Sequence, residues 1–144
     1  MSSFLYDYAL QNFLSGNSTF DLLTADVKVA LVQISGTGTP YTANQATDQF
    51  LSVIPSGAIA AKSPQLTSPT VANGTFGAAN TVFSTVTFSQ PVGAIVLYID
   101  TGTPSTSPLI AYLDNTNYSG LPFTPSGTNV TLSFSPTGNL IFSL

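Results

Sequence analysis

Asp100-Thr101-Gly102 is the one place in this chain where residue type and context together could do acid–base chemistry. Aspartic proteases set such a triplet just after a hydrophobic strand, and residues 95–99 (IVLYI) would supply that strand. The chemistry requires two carboxylates sharing one proton, because like charges a few ångströms apart cannot both ionise. A chain with a single triplet would have to work as a dimer. The residues that follow, Thr103-Pro104, differ from the Ala or Ser that such proteases place there, and no supporting apolar-apolar-Gly element follows. Asp-Thr-Gly at a strand end is also ordinary turn chemistry, with the carboxylate bonding the backbone and the glycine taking positive φ. The turn is the expected reading.

The remaining candidates are weaker. Asp114-Asn115-Thr116-Asn117 has the oxygen ligands that hard cations prefer, but only one is a carboxylate and the chain contains no Glu. An Asx-rich turn is expected there, with no bound metal and no cofactor. A serine nucleophile needs a base; without His the usual triad cannot be built, and neither Lys28 nor Lys62 lies in a Ser-x-x-Lys context. Tyr6, Tyr8, Tyr41, Tyr98, Tyr112 and Tyr118 could stack on sugars, yet aromatics in a strand-rich chain belong more often to a core or an interface. Four Asn-x-Ser/Thr acceptors (Asn17, Asn73, Asn117, Asn129) are the chance yield of a Ser/Thr/Asn-rich composition. No catalytic constellation emerges, and a protein without enzymatic activity is expected.

The elements that would position these residues are mostly strands. At the start, Phe4, Leu5, Tyr8, Ala9, Phe13 and Leu14 fall on one helical face, with Ser2 or Ser3 as cap and Gly16 just past the end. Residues 21–26 connect to a first strand at 27–34 (VKVALVQI), and 36–45 is a Gly/Thr/Pro loop long enough to be an insertion. A short helix is expected at 44–53, with Phe50, Leu51 and Ile54 inward and Pro55 ending it. Further strands are expected at 57–63, 80–88, 92–100, 107–114, 128–134 and 138–143, with 64–77 the loosest segment. Ser135-Pro136-Thr137-Gly138 fits a type I turn between the last two.

Val130, Leu132 and Phe134 alternate with polar residues, which suits a strand with one wet face. Residues 94–99 and 109–113 are apolar on both faces, so each must be covered twice: by an opposing sheet, and by the N-terminal helix or a neighbouring subunit. The pattern predicts an all-β fold, an antiparallel β-sandwich of about seven or eight strands with an N-terminal helix. A single domain spanning 1–144 is expected, made of a helical arm (1–20) and the sandwich (21–144).

Composition narrows the function. Six Asp and two Lys are the only charged side chains among 144 residues, 6% against about 25% in an ordinary soluble domain. The polar coat must come from 53 Ser, Thr, Asn and Gln. With no Arg and two Lys, the chain cannot hold a phosphate backbone, and nucleic-acid binding is not expected. No run of about 18 apolar residues exists to span a membrane, and Asp7 with no basic n-region makes the start a poor secretory signal. Cysteine is absent, so there is no disulfide framework. A neutral Thr/Ser surface gives copies little self-repulsion, which suits life in an assembly.

From Ala94 onward the chain resembles a group of small tailed-bacteriophage virion structural proteins, of the capsid decoration (cement) or head-fibre type. The resemblance rests on AIVLYIDTGTPSTSPLIAYLD (94–114), GLPFTPSG (120–127) and NLIFSL (139–144). Upstream, LLTADVKVALV (22–32), DQFLSVIP (48–55) and GTFGAANTVFSTV (74–86) fall in the matching order. It implies a β-sandwich present in many copies on the outer capsid surface, made in the host cytoplasm, without enzymatic activity and bridging capsid subunits. The implied partners are the major capsid protein and further copies of the chain, as a homotrimer. Phe4, Leu5, Tyr8 and Phe13 are the expected capsid or subunit contacts. The alternative is a tail- or fibre-associated module that binds a host glycan through loops and exposed tyrosines.

Overall fold

The computed structural model describes residues 3–116 and 118–134, with the backbone of 142–143. Its central element is a five-stranded antiparallel sheet in the order β1 (Phe4–Leu5), β8 (Leu109–Leu113), β7 (Ala94–Ile99), β2 (Val27–Val32), β3 (Ile59–Lys62). Hairpin β4 (Thr70–Ala72) and β5 (Thr75–Gly77) joins β10 (Phe142–Ser143) in a second sheet, and β6 (Thr81–Phe83) pairs with β9 (Val130–Leu132). The one α-helix among the described residues is α1 (Asp7–Leu14). The chain is therefore all-β and antiparallel with a short N-terminal helix, as the patterning predicts.

Strands β7 and β8 are buried at every position, as their two-sided apolarity requires. In β2 and β7, paired from Val27↔Ile99 to Val32↔Ala94, alternate residues point to opposite faces. Val29, Leu31, Ile95 and Leu97 enter one core, together with Phe76, Phe83 and Leu132 from the smaller sheets. A register shift at Leu97/Tyr98 lets Ile110 and Ala111 both enter that core, as an extra residue on one strand does. Ala30, Val32, Val96 and Tyr98 enter the other core.

The cover on that second face is neither the N-terminal helix nor another subunit. It is the strap 41–58, in which the expected insertion (36–45) supplies Tyr41 and Ala43, the segment expected as a short helix supplies Leu51 and Ile54, and Ala58 follows, joined by Tyr6. This strap is bonded at both sheet edges, by Leu51 N–H to Ser107 O (2.8 Å), Leu109 N–H to Gln49 O (2.9 Å) and Gln33 N–H to Ala58 O (2.8 Å). In place of the expected helix over 44–53 there is a turn and then a single 3₁₀ turn, Leu51–Val53. Strand-like bonding to β8 at Gln49 and Leu51 uses the backbone groups that an α-helix would need. Leu51 and Ile54 still point inward.

The start also differs from expectation. Phe4 and Leu5 form a strand opposite Tyr112 and Ala111, and α1 begins only at Asp7, without a side-chain cap. Phe4 and Tyr6 pack toward one core and Leu5 toward the other, a period of two. The free edge of β8 supplies partners that outweigh the local helical spacing. At the other end, Gly16 (φ 70°) donates to Phe13 O, and Asn17 N–H to Asn12 O, closing the helix as a Schellman motif. The segment 64–77, expected to be loose, holds the β4–β5 hairpin around Asn73 and Gly74 (φ 52° and 73°). The 135–138 turn lies outside the described residues.

Candidate functional site

Asp100 closes β7 and is fully engaged. Its Oδ2 accepts from Lys28 Nζ at 2.5 Å, and its Oδ1 accepts from Gly102 N–H at 2.9 Å, with Gly102 at φ 89°. The lysine ammonium, and then the glycine amide, hold the carboxyl below its usual range, while the same bond raises Lys28. A protease dyad needs a carboxyl that keeps a shared proton; this one is held ionised. Lys28 also lies 3.9 Å from Asp26, whose Oδ1 is buried without a hydrogen-bond partner. The hydroxyls of Thr101, Thr106 and Ser107 close the loop, bonding one another and the backbone carbonyl of Thr103.

Asp114 is another tie. Its Oδ1 accepts from Ser3 Oγ (3.1 Å), Thr116 N–H (3.0 Å) and Thr116 Oγ (2.6 Å), and its own N–H donates back to Ser3 Oγ. It pins β1 to the sheet; Asn117 lies outside the described residues. Among the described residues no group of three or more His, Cys, Asp or Glu is placed to hold a metal ion, and no helix is long and apolar enough to cross a membrane.

The tyrosines face inward. Tyr6, Tyr41, Tyr98, Tyr112 and Tyr118 are buried. Tyr8, half-buried, has its ring 6.0 Å from that of Phe20 and 5.3 Å from that of Phe50. The Tyr6 hydroxyl donates to the Tyr41 hydroxyl oxygen at 3.0 Å, because the Tyr41 hydroxyl itself donates to Asp48 at 2.6 Å. Asp48 also accepts from Asn44 N–H, so the chain of hydroxyls anchors the strap to Tyr6, between β1 and α1. Burial pushes all four sheet and strap tyrosines up, Tyr98 and Tyr112 to about 12.

The four expected contact residues are packed against this chain itself, on two different faces of the sheet. Phe4 stacks on Tyr112 (5.0 Å, 11°), while Leu5, Tyr8 and Phe13 pack on the first core. All four are half-buried. Beside them lies a surface that the sequence reading did not single out. Asn17 caps a 3₁₀ turn (Ser18–Phe20), and Asp21 Oδ1 accepts from Leu23 N–H, so Phe20 and Leu22 are buried and Leu23 turns outward, 50% exposed. Across from it, Val71 pairs with Phe76 on one face of the hairpin; Phe76 sinks into the core and Val71 stays 54% exposed. Between them is a depression of about 450 Å³, continued past Leu22, Leu23 and Phe76 by one of about 340 Å³. Leu14, the last residue of α1, is 88% exposed and follows Phe13, which lines the depression. An Asn-Gly turn between short apolar runs was the available signal for this hairpin.

The chain matches no protein-family model and no curated protein.

Proposed function

We propose that this chain is a non-enzymatic phage virion structural protein, a capsid decoration (cement) protein that stabilises the head by bridging capsid subunits, as a homotrimer. The observation that carries the reading is where the reactive groups go. Asp100, Asp114, Lys28 and the tyrosines Tyr6 and Tyr41, which include both of the motif aspartates, are engaged in ties within the chain. Two of the five large apolar side chains exposed among the described residues, Leu23 and Val71, instead line one depression. Low charge lowers the desolvation cost of lying against another protein, and the resemblance to virion proteins runs through nearly the whole chain. Double burial of β7 and β8 gives no support, since the strap covers them in cis. The glycan-binding alternative rests on exposed tyrosines, and all six are buried or half-buried.

The test is co-sedimentation of purified protein with heads from a phage lacking its gene, with copy number measured on intact particles. Saturable binding at hundreds of copies is expected. No binding, or a handful of copies at the tail, would refute the reading. Deleting the first 16 residues does not serve as a test, because it removes β1 and α1 from the fold itself.

A further inference from the structure

Asn73-Gly74 is the only Asn-Gly pair in the chain, and its place in the fold gives it chemistry of its own. The two residues form the tip of the β4–β5 hairpin, both exposed and both at positive φ (52° and 73°), as a type I′ turn requires. Among the described residues, neither the Asn73 carboxamide nor the Gly74 N–H has a hydrogen-bond partner. Glycine also leaves the attacking nitrogen unshielded by any Cβ. The contrast with the other asparagines is sharp. Asn12, Asn17, Asn44, Asn80 and Asn129 all have their carboxamides bonded, and each precedes a residue that carries a Cβ.

We propose that Asn73 is a self-modification site, where the chain converts its own carboxamide to a carboxylate through a cyclic imide. The Gly74 nitrogen attacks Asn73 Cγ and gives up its proton to solvent. An N–C bond forms, the carboxamide C–N bond breaks, and its nitrogen leaves as ammonia. Water then opens the imide at either carbonyl, to aspartate or to isoaspartate. The turn restrains the first step. An αL residue holds ψ at about +47°, whereas the ring closes only at negative ψ, so the hairpin tip must open before the atoms can meet. Such opening is local: β4 has three residues, all exposed, and as the last strand of its sheet it is paired with β5 alone. The isoaspartate product carries one more methylene in its main chain, which a two-residue turn cannot accommodate without losing register. The reaction thus releases β4 irreversibly and adds a carboxylate to a chain whose only charged side chains are six Asp and two Lys.

The experiment ages the full chain in mildly alkaline buffer, folded and in denaturing guanidinium chloride, and follows each Asn by peptide mapping and mass spectrometry. In the folded protein Asn73 should convert at least tenfold faster than any other Asn, yet ten- to a hundredfold more slowly than in the denatured chain. Gly74→Ala, compared with wild type in denaturant so that its folding does not matter, should convert at least tenfold more slowly. Another Asn reacting first, or Gly74→Ala keeping the wild-type rate, would overturn the site. Equal rates in the folded and denatured chains would overturn the restraint by the turn. An intact Asn73 in the folded protein once the denatured chain has fully converted would overturn the local opening. Amide exchange of the aged isoaspartate form should be faster over 70–77 and unchanged in β7; unaltered exchange over 70–77 would overturn the release of β4.

Discussion

Tyr41→Phe removes one oxygen from the middle of the hydroxyl chain that ties the strap to Tyr6. Tyr6, fully buried, then keeps a hydroxyl with no acceptor, which costs about 1–3 kcal/mol. Asp48 loses a 2.6 Å charge-assisted bond but keeps Asn44 N–H and partial access to water, so this loss falls near the low end of about 1.5–3 kcal/mol. Together the change should cost about 3 kcal/mol, a fall in Tm of about 6–12 °C for a chain of this size. Tyr6→Phe alone leaves Tyr41 bonded to Asp48 and should cost about 1 kcal/mol. In the Tyr41→Phe background the same change removes the orphaned hydroxyl, so its cost should vanish or change sign. Urea unfolding of the four proteins, fitted with a common m value, gives the coupling, expected to be about 1 kcal/mol or more. Additivity within about 0.5 kcal/mol would refute the linked chain and with it this account of how the strap is held.

Alkali should unfold the protein sharply. Tyr6, Tyr41, Tyr98 and Tyr112 are all raised by burial, so above pH 10 the unfolded chain loses their protons while the folded one keeps them. Stability is thus full below pH 10 and falls as pH rises toward the folded values, by about 5 kcal/mol at pH 11 for four such groups. Circular dichroism against pH checks this; a transition unchanged by replacing Tyr98 and Tyr112 with Phe would refute it. On the acid side, Asp100 is lowered chiefly by Lys28, so its stabilisation is present above about pH 4 and lost as pH falls through the folded value. Asp100→Asn should cost about 1 kcal/mol near neutrality, as part-exposed pairs do, and flatten the acid limb of stability against pH. An unaltered acid limb would refute the assignment.

Several elements could be read directly from residue order because short-range rules govern them. Six consecutive apolar residues in β7 and five in β8 demand burial on both faces wherever the chain goes. Gly16 ends α1 because an αL residue without a Cβ closes a helix, and Asp100-Thr101-Gly102 is a turn for the same local reason. The hairpin around Asn73-Gly74 was equally legible, but its low apolar content hid it in a segment that otherwise looks like loop.

The candidate surface was only half legible. Phe4 packs on one face of the sheet and Leu5, Tyr8 and Phe13 on the other, each against its own chain. Leu23 and Val71, 48 residues apart in sequence, meet across a depression that no local pattern announces. Sequence alone determined the strand-rich class, the poverty of charge and the need to seal β7 and β8 twice. Only the tertiary structure decided what seals them, and that Phe4 and Leu5 form a strand. Those outcomes turn on which distant backbone offers a free edge or an open face, and residue order does not encode that pairing locally.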